Sequence, residues 1–480
     1  MSSRIDEEFR RAVRVLIADP PDLPPLPAVT RPTRPQRRGP TVLALAMLVV
    51  LIAVGVPSVI VLSNQRATQG PSLENWRQGA EAPFTPRHGM FSAALDDDRI
   101  LVWGGVESAF DGGIYDPSND TWEAIPEAPV GDLSVIGVKV AAGRLAVIGT
   151  LEVGGRIAGT VFDVGSGEWL KVPTNPDIAT FVDGFAWDGE TLAVVRVGGE
   201  AEWRVDRPIT SRWEYGTTEW SLGAQFPFDV RAGAGVAADS SRIAVWGGVS
   251  DDGQVHDDGA IYIVDDDRWD PIPSAPITAR VNPEAAWLQS GLAVGGGMES
   301  NNPDLSGLDP NGQPYDPGIV PGIALYHVAS GTWDMPASPP DDSGFNGPFN
   351  ALVPSEYYDN GQPQLLVRST WGGSHPTSGI HAAYWYQEAT DEWGWTPMSD
   401  LHPADDYLVA TTRTVDNPDN DAFAVRLWNG QQWSTAAKGP FTNRMQAAVV
   451  VTNDQIVVIG GAQGRQLDAT NDTWIIDIEQ

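Results

Sequence analysis

A Tyr or Phe stands seven positions before a tryptophan five times in this chain: Tyr115 and Trp122, Phe162 and Trp169, Tyr262 and Trp269, Tyr326 and Trp333, Tyr386 and Trp393. Turn-forming Asp, Asn, Ser and Gly lie between the two members. Each pair therefore reads as neighbouring strands joined by a tight turn, with both rings on one face. Regularity of this kind, recurring every few tens of residues, signals a structural repeat. The 51 glycines and 39 prolines supply turns and the 19 tryptophans supply large apolar faces, which favours a many-stranded β protein over a helical one.

A second element keeps step with the first. Double glycines end short apolar runs at Gly104-Gly105, Gly198-Gly199, Gly247-Gly248, Gly295-Gly296, Gly372-Gly373 and Gly460-Gly461, where the backbone must turn sharply. Residues 99–129, 242–276 and 292–340 each run from such a strand through a polar loop to an aromatic strand and then a Trp. The order of double glycine, aromatic and Trp resembles the kelch repeat over roughly residues 74–480. It is weaker around Trp169, where Gly149 stands alone, and weakest around Trp433, which uses an Asn429-Gly430 turn. The resemblance implies a β-propeller with four antiparallel strands per blade. Galactose oxidase shares that architecture, but its copper chemistry depends on a cysteine-linked tyrosine, and this chain has no cysteine.

The tryptophans at 76, 122, 169, 220, 269, 333, 393 and 433 count eight units, about 51 residues each. Seven blades is the alternative, since residues 401–440 are short for a unit. In the last unit Trp474 aligns with the third-strand aromatic, so the blade tryptophan falls one residue past the end. Trp76 has no strands before it. The simplest solution is that residues 74–80 complete the last blade, closing the ring and removing an open sheet edge.

Ahead of this domain, Thr41 to Leu62 is an uncharged stretch of 22 residues, about 33 Å as a helix and long enough to cross a bilayer. Arg31, Arg34, Arg37 and Arg38 precede it and Arg66 alone follows closely, so the amino end is expected in the cytoplasm and the propeller outside. The expected organisation is a cytoplasmic tail (1–40) with a short amphipathic helix and a Pro/Arg-rich stretch, a transmembrane helix (41–62), a tether (63–73) and the propeller (74–480). Ile5, Phe9, Val13 and Leu16 give the tail helix its apolar face, and residues 1–18 are the segment a cytoplasmic partner would meet.

Charge restricts the partners. The formal net charge is −33, and residues 63–480 hold 58 of the 63 acidic residues against 22 of the 30 basic ones. Phosphate backbones are repelled by such a domain, so nucleic acid is excluded as a non-specific partner. No cysteine is present for a disulfide, a thiol nucleophile or a thiolate metal site. The six histidines (88, 256, 327, 375, 381, 402) show no metal-binding spacing, and no serine elbow or phosphate loop occurs. No catalytic residue, metal or cofactor is assigned. Acidic pairs such as Asp251-Asp252 and Asp265-Asp266 read as solvated turns.

Two features mark a binding face. The loops between second and third strands carry inserts at 298–321, 249–258 and 374–381. On the same face Pro83, Pro227, Pro276 and Pro440 are each followed four residues later by Arg87, Arg231, Arg280 and Arg444. Those arginines are read either as an anion-binding ring or as structural groups bonding carbonyls and stacking on aromatics. Trp103, Trp246 and Trp371, each just before a double glycine, are read first as core-packing residues and second as partly exposed platforms. The leading functional reading is a non-catalytic, surface-anchored binding module for a glycan or an envelope protein. The alternatives are a sugar-acting enzyme with its site at the channel mouth, and signalling through the cytoplasmic helix.

Overall fold

The computed structural model describes residues 75–198, 207–297 and 323–336 with short gaps, and the strands of 72–73 and 366–479. The chain divides into Met1–Arg66 and Ala67–Gln480, and everything described belongs to the second unit. The expected tail and transmembrane helix lie outside the described residues. Among those described, no helix is long and apolar enough to cross a membrane.

The described chain is all-β and propeller-like: eight antiparallel sheets follow one another. In chain order they run from Phe91 to Ile125, Leu133 to Val172, Gly184 to Leu222, Gly235 to Ile272, Glu284 to Asp334, Leu366 to Thr396, Asp400 to Thr442 and Arg444 to Glu479, here sheets 1 to 8. Sheets 1 to 5 and sheet 7 are four-stranded meanders, and three strands of sheet 6 are described. First strands of successive sheets approach one another, as with Gly184–Trp187 beside Gly235–Ala238 and Phe91–Ala94 beside Ala448–Val451, so they form the inner layer. Lys139 in sheet 2 ties three of them together. Its ammonium passes over the Phe185 ring of sheet 3, 5.3 Å away, and donates to the Ala238 carbonyl of sheet 4 at 2.9 Å.

The aromatic-to-tryptophan spacing is the register of the third and fourth strands. Tyr115 pairs directly with Trp122, Phe162 with Trp169, Tyr262 with Trp269, Tyr326 with Trp333 and Tyr386 with Trp393. In the four pairs whose side chains are described, ring centroids lie 5.0 to 5.2 Å apart. Apolar residues alternate to both faces of each sheet and meet those of the next, which gives one buried cluster between each adjacent pair of well-described sheets. Trp103 and Trp246 belong to these clusters, at 2% and 0% exposure, so neither is a surface platform. Their large rings fill the space beside the glycine turns. Trp371 lies outside the described residues.

Sheet 8 is completed by the start of the domain. Ser72 pairs with Glu479, Leu73 with Ile478, Arg77 with Ile475 and Gln78 with Trp474. Pairing thus begins two residues earlier than the expected 74–80 and is interrupted between Leu73 and Arg77. The register also corrects one alignment. Arg77 opposite Ile475 brings Trp76 level with Ile476, so Ile476 takes the third-strand aromatic position and Trp474 lies two residues before it. Trp76 still plays the blade tryptophan, packing against Phe423 and Phe441 of sheet 7 at 6.3 and 5.4 Å.

Candidate functional site

Among the described residues two rows of groups hold neighbouring sheets together, and they define two faces. On the turn face, where first strands meet second and third strands meet fourth, the fastener is the tryptophan. Its indole N–H donates to a carbonyl of the preceding sheet: Trp122 to Ala80, Trp169 to Pro126, Trp220 to Pro173, Trp269 to Ala224 and Trp333 to Pro273, at 2.7 to 3.1 Å. Each acceptor lies four residues after the previous blade tryptophan, so the bond repeats at a fixed register. In sheets 1 and 4 a carboxylate reinforces it. Asp120 accepts from the Tyr115 hydroxyl at 2.6 Å and the Ala80 N–H at 2.7 Å. Asp267 accepts from the Tyr262 hydroxyl and the Ala224 N–H, both at 2.7 Å. The Tyr115 hydrogen bond, then that of Ala80, holds the Asp120 carboxyl below its usual range, while burial and then Asp120 push the Tyr115 hydroxyl far above its own.

The opposite face carries the second-to-third-strand loops and is called the loop face. Here Arg87, Arg231, Arg280 and Arg444 occupy one repeated position at the start of the innermost strands, 1% to 5% exposed. Arg87 donates to Asp111 at 2.5 Å and to the Gly104 carbonyl at 3.3 Å. Arg231 reaches Asp258 at 2.6 Å, and Arg444 makes two bonds of 2.5 Å to Asp472 and one of 2.9 Å to the Gly460 carbonyl. Arg280 donates to the Gly296 carbonyl at 2.6 Å. Three of the guanidinium groups also stack on the aromatic three residues earlier: Phe84, Phe228 and Phe441, at 4.8, 4.3 and 4.3 Å. Burial raises the Asp472 carboxyl, but the Arg444 and Trp474 hydrogen bonds outweigh it and hold that group below its usual range.

The double glycines receive the arginine segment of the next sheet. Gly248 N–H donates to the Arg280 carbonyl at 2.8 Å, and Gly461 N–H to the Arg87 carbonyl at 3.0 Å, which closes sheet 8 on sheet 1. All four glycines of the 247–248 and 460–461 pairs are left-handed. In sheet 5 the left-handed pair is Gly296-Gly297, while Gly295 is the last residue of its strand, so the motif falls one residue later than expected.

Two residues beyond each arginine the chain turns left-handed again, at Gly89 (φ 67°), Gly233 (φ 59°), Asn282 (φ 50°) and Gln446 (φ 53°). These positions join neighbouring inner strands through backbone bonds: Gly89 N–H to the Gln446 carbonyl at 2.9 Å, and Asn282 N–H to the Gly233 carbonyl at 2.8 Å. They therefore rim the inner layer on the loop face. Asn282 and Gln446 are exposed, and His88 is half-buried with Nδ1 2.6 Å from Gln446 Oε1. The sequence reading missed this rim, although Gly, Gly, Asn and Gln two places after an Arg is a visible pattern.

The 249–258 insert folds beside the rim. His256 Nε2 lies 3.0 Å from Ser250 Oγ, and Nδ1 lies 3.8 Å from Asp258, which Arg231 already holds. The arrangement is not a nucleophile and its base. Ser250 Oγ donates to Asp252 at 2.6 Å, so the hydroxyl proton is directed away from the imidazole and Nε2 supplies the hydrogen of the contact. Burial first, then Arg231, push His256 below its usual range despite Asp258, Asp252 and Asp257. Among the described residues, no three His, Asp or Glu side chains converge as metal ligands. The 298–321 insert and His375 and His381 lie outside the described residues.

No protein-family model matches this chain, and no curated protein does. Among solved structures that match is one titled "Structure of YjhT", 13% identical, covering 84% of this chain and 99% of that one with a TM-score of 0.34. Nothing about activity passes from that protein to this one.

Proposed function

We propose that this chain is a membrane-anchored, extracytoplasmic, eight-bladed kelch-like propeller that acts as a non-catalytic binding module for a glycan. The observation that carries this reading is the rim on the loop face. It presents amide groups of Asn282 and Gln446 and an imidazole of His88 around the start of the inner strands, while the arginines beneath are buried and engaged. We read those arginines as scaffold: they lie under the glycine turns that join neighbouring sheets, and removing the charge of Arg87, Arg231 or Arg444 would leave a carboxylate without its partner. The first described strand, Ser72–Leu73, pairs at the turn-face end of the last one, with Ser72 opposite Glu479. Eight successive sheets and the pairing of 72–78 with 474–479 support the blade count. The uncharged stretch 41–62 supports the anchor.

Two measurements test the proposal. Protease added outside intact cells is expected to degrade the part following residue 66 and to spare residues 1–40. The full-length protein in detergent micelles is expected to be retained by glycans on an array. Retention by an envelope protein alone would replace the ligand class, and release of sugar products during incubation would replace the non-catalytic reading.

A further inference from the structure

We infer that the ligand taken at the loop-face rim is an uncharged glycan, and that the side-chain amides of Asn282 and Gln446 are the groups that select it. The inference rests on the binding-module reading above and narrows it.

Four arginines recur at the mouth, and in a domain this acidic they are the groups an anionic ligand would seek. None presents its charge to solvent: the four are 1% to 5% exposed. Arg87, Arg231 and Arg444 are each paired with a carboxylate from the loop above, Asp111, Asp258 and Asp472. Those carboxylates are the more accessible partners, their side chains 40%, 30% and 23% exposed. An anion approaching the rim therefore meets carboxylate before guanidinium. It would have to draw an arginine away from a partner that already neutralises it, against the field of the whole domain.

Among the described left-handed positions two residues beyond an arginine, the side chains are neutral. Asn282 stands on the seam of sheets 4 and 5, and Gln446 with His88 stands on the seam of sheets 8 and 1. These seams are half a circuit apart in an eight-sheet ring. Gln446 Oε1 is held by His88, which leaves the amide N–H2 as the donor of that side chain. Amides offer a donor and an acceptor side by side, which suits sugar hydroxyls and acetamido groups and gives no advantage to charge. The backbone adds a second sign of selection. Both side chains sit on left-handed residues where sheets 1 and 4 use glycine, Gly89 and Gly233, so each costs conformational energy that glycine would avoid.

The test uses the full-length protein in detergent micelles and an array on which each oligosaccharide backbone is printed uncharged and in a carboxylate- or sulfate-bearing form. The uncharged member is expected to be retained, with the charged form bound about tenfold more weakly or worse. Asn282→Gly and Gln446→Gly restore the residue found at the equivalent positions, so the backbone is preserved. Each is expected to weaken retention of the uncharged glycan about tenfold with no fall in the thermal midpoint, since glycine accepts the left-handed backbone. Preferential, salt-sensitive retention of the charged member would overturn the inference and leave the binding-module reading standing. Unchanged retention by both glycine variants would overturn it equally. If no glycan of either form is retained, the glycan reading itself falls and takes the inference with it.

Discussion

The seams in front of sheets 1 and 4 and those in front of sheets 2 and 5 are built on one plan and fastened differently. All four share the indole bond from the blade tryptophan to the preceding sheet. In front of sheets 1 and 4 the accepting residue is an alanine, Ala80 or Ala224, which also has an N–H to give. There the third strand carries a tyrosine and the turn an aspartate, and the carboxylate takes both hydrogens. In front of sheets 2 and 5 the accepting residue is Pro126 or Pro273, which has no N–H, and the turn position holds Gly167 or Gly331. In sheet 2 even the phenolic oxygen is gone, since Phe162 replaces tyrosine. A carboxylate is kept where the neighbouring sheet has a hydrogen for it and dispensed with where it has none. What reads as drift in a repeat is a matched set of three residues on two sheets.

That pairing can be broken in several ways. Replacing the shared fastener should do the most damage: Trp122→Phe and Trp169→Phe each remove an indole N–H and leave a void, about 2 kcal/mol in a denaturant midpoint. Equal losses at both seams would show the indole to be the common element. Next in size, Asp120→Gly copies the sheet 2 turn at a left-handed position (φ 51°) that glycine accepts, yet strands the Tyr115 hydroxyl and the Ala80 N–H. A loss of about 1 kcal/mol is expected, measured by thermal or urea unfolding. The sixth repeat sharpens the comparison, because its sequence repeats the full set: Ala337 stands four residues after Trp333, and Tyr386 and Asp391 take the tyrosine and aspartate places. Asp391→Gly should therefore cost as much as Asp120→Gly. A negligible cost would show that the three residues do not act together there.

Acid gives a milder version of the same change. The Asp120 carboxyl titrates below its ordinary value in the fold, so its contribution is complete above the ordinary carboxylate range and is lost as pH falls through the lowered value. Pepsin at decreasing pH should cut residues 77–82, at the seam in front of sheet 1, before residues 123–128, at the seam in front of sheet 2. The reverse order would sink the assignment. Smallest of all is the graft: Phe162→Tyr with Gly167→Asp rebuilds only the tyrosine half of the clamp, because Pro126 has no hydrogen to offer, and a gain below about 1 kcal/mol is expected.

Much of this was legible before any coordinates. The seven-residue spacing gave the third and fourth strands and their register, since two rings on one face of a tight hairpin have few other ways to recur. The incomplete unit at the end and the lone Trp76 at the start gave the closure, within two residues. Two readings are corrected by one or two residues: Trp474 yields the aromatic position to Ile476, and the sheet 5 glycine pair moves to Gly296-Gly297. Both depend on a register that the pairing break in sheet 8, or a run of three glycines, leaves ambiguous. Of the two readings of Trp103 and Trp246, the core one holds, and it depends on how closely the next sheet is laid against their own, which no single strand records.

Which residues recur, how long the repeat is and which end completes which can be read along the chain, because periodicity and turn chemistry are local and survive in one dimension. What the recurring side chains hold is settled by packing. That the Trp122 indole donates to the Ala80 carbonyl is written in neither residue, and neither is the fact that Asp111 pairs with Arg87 and neutralises its charge. Such partners are chosen when one sheet is laid against the next.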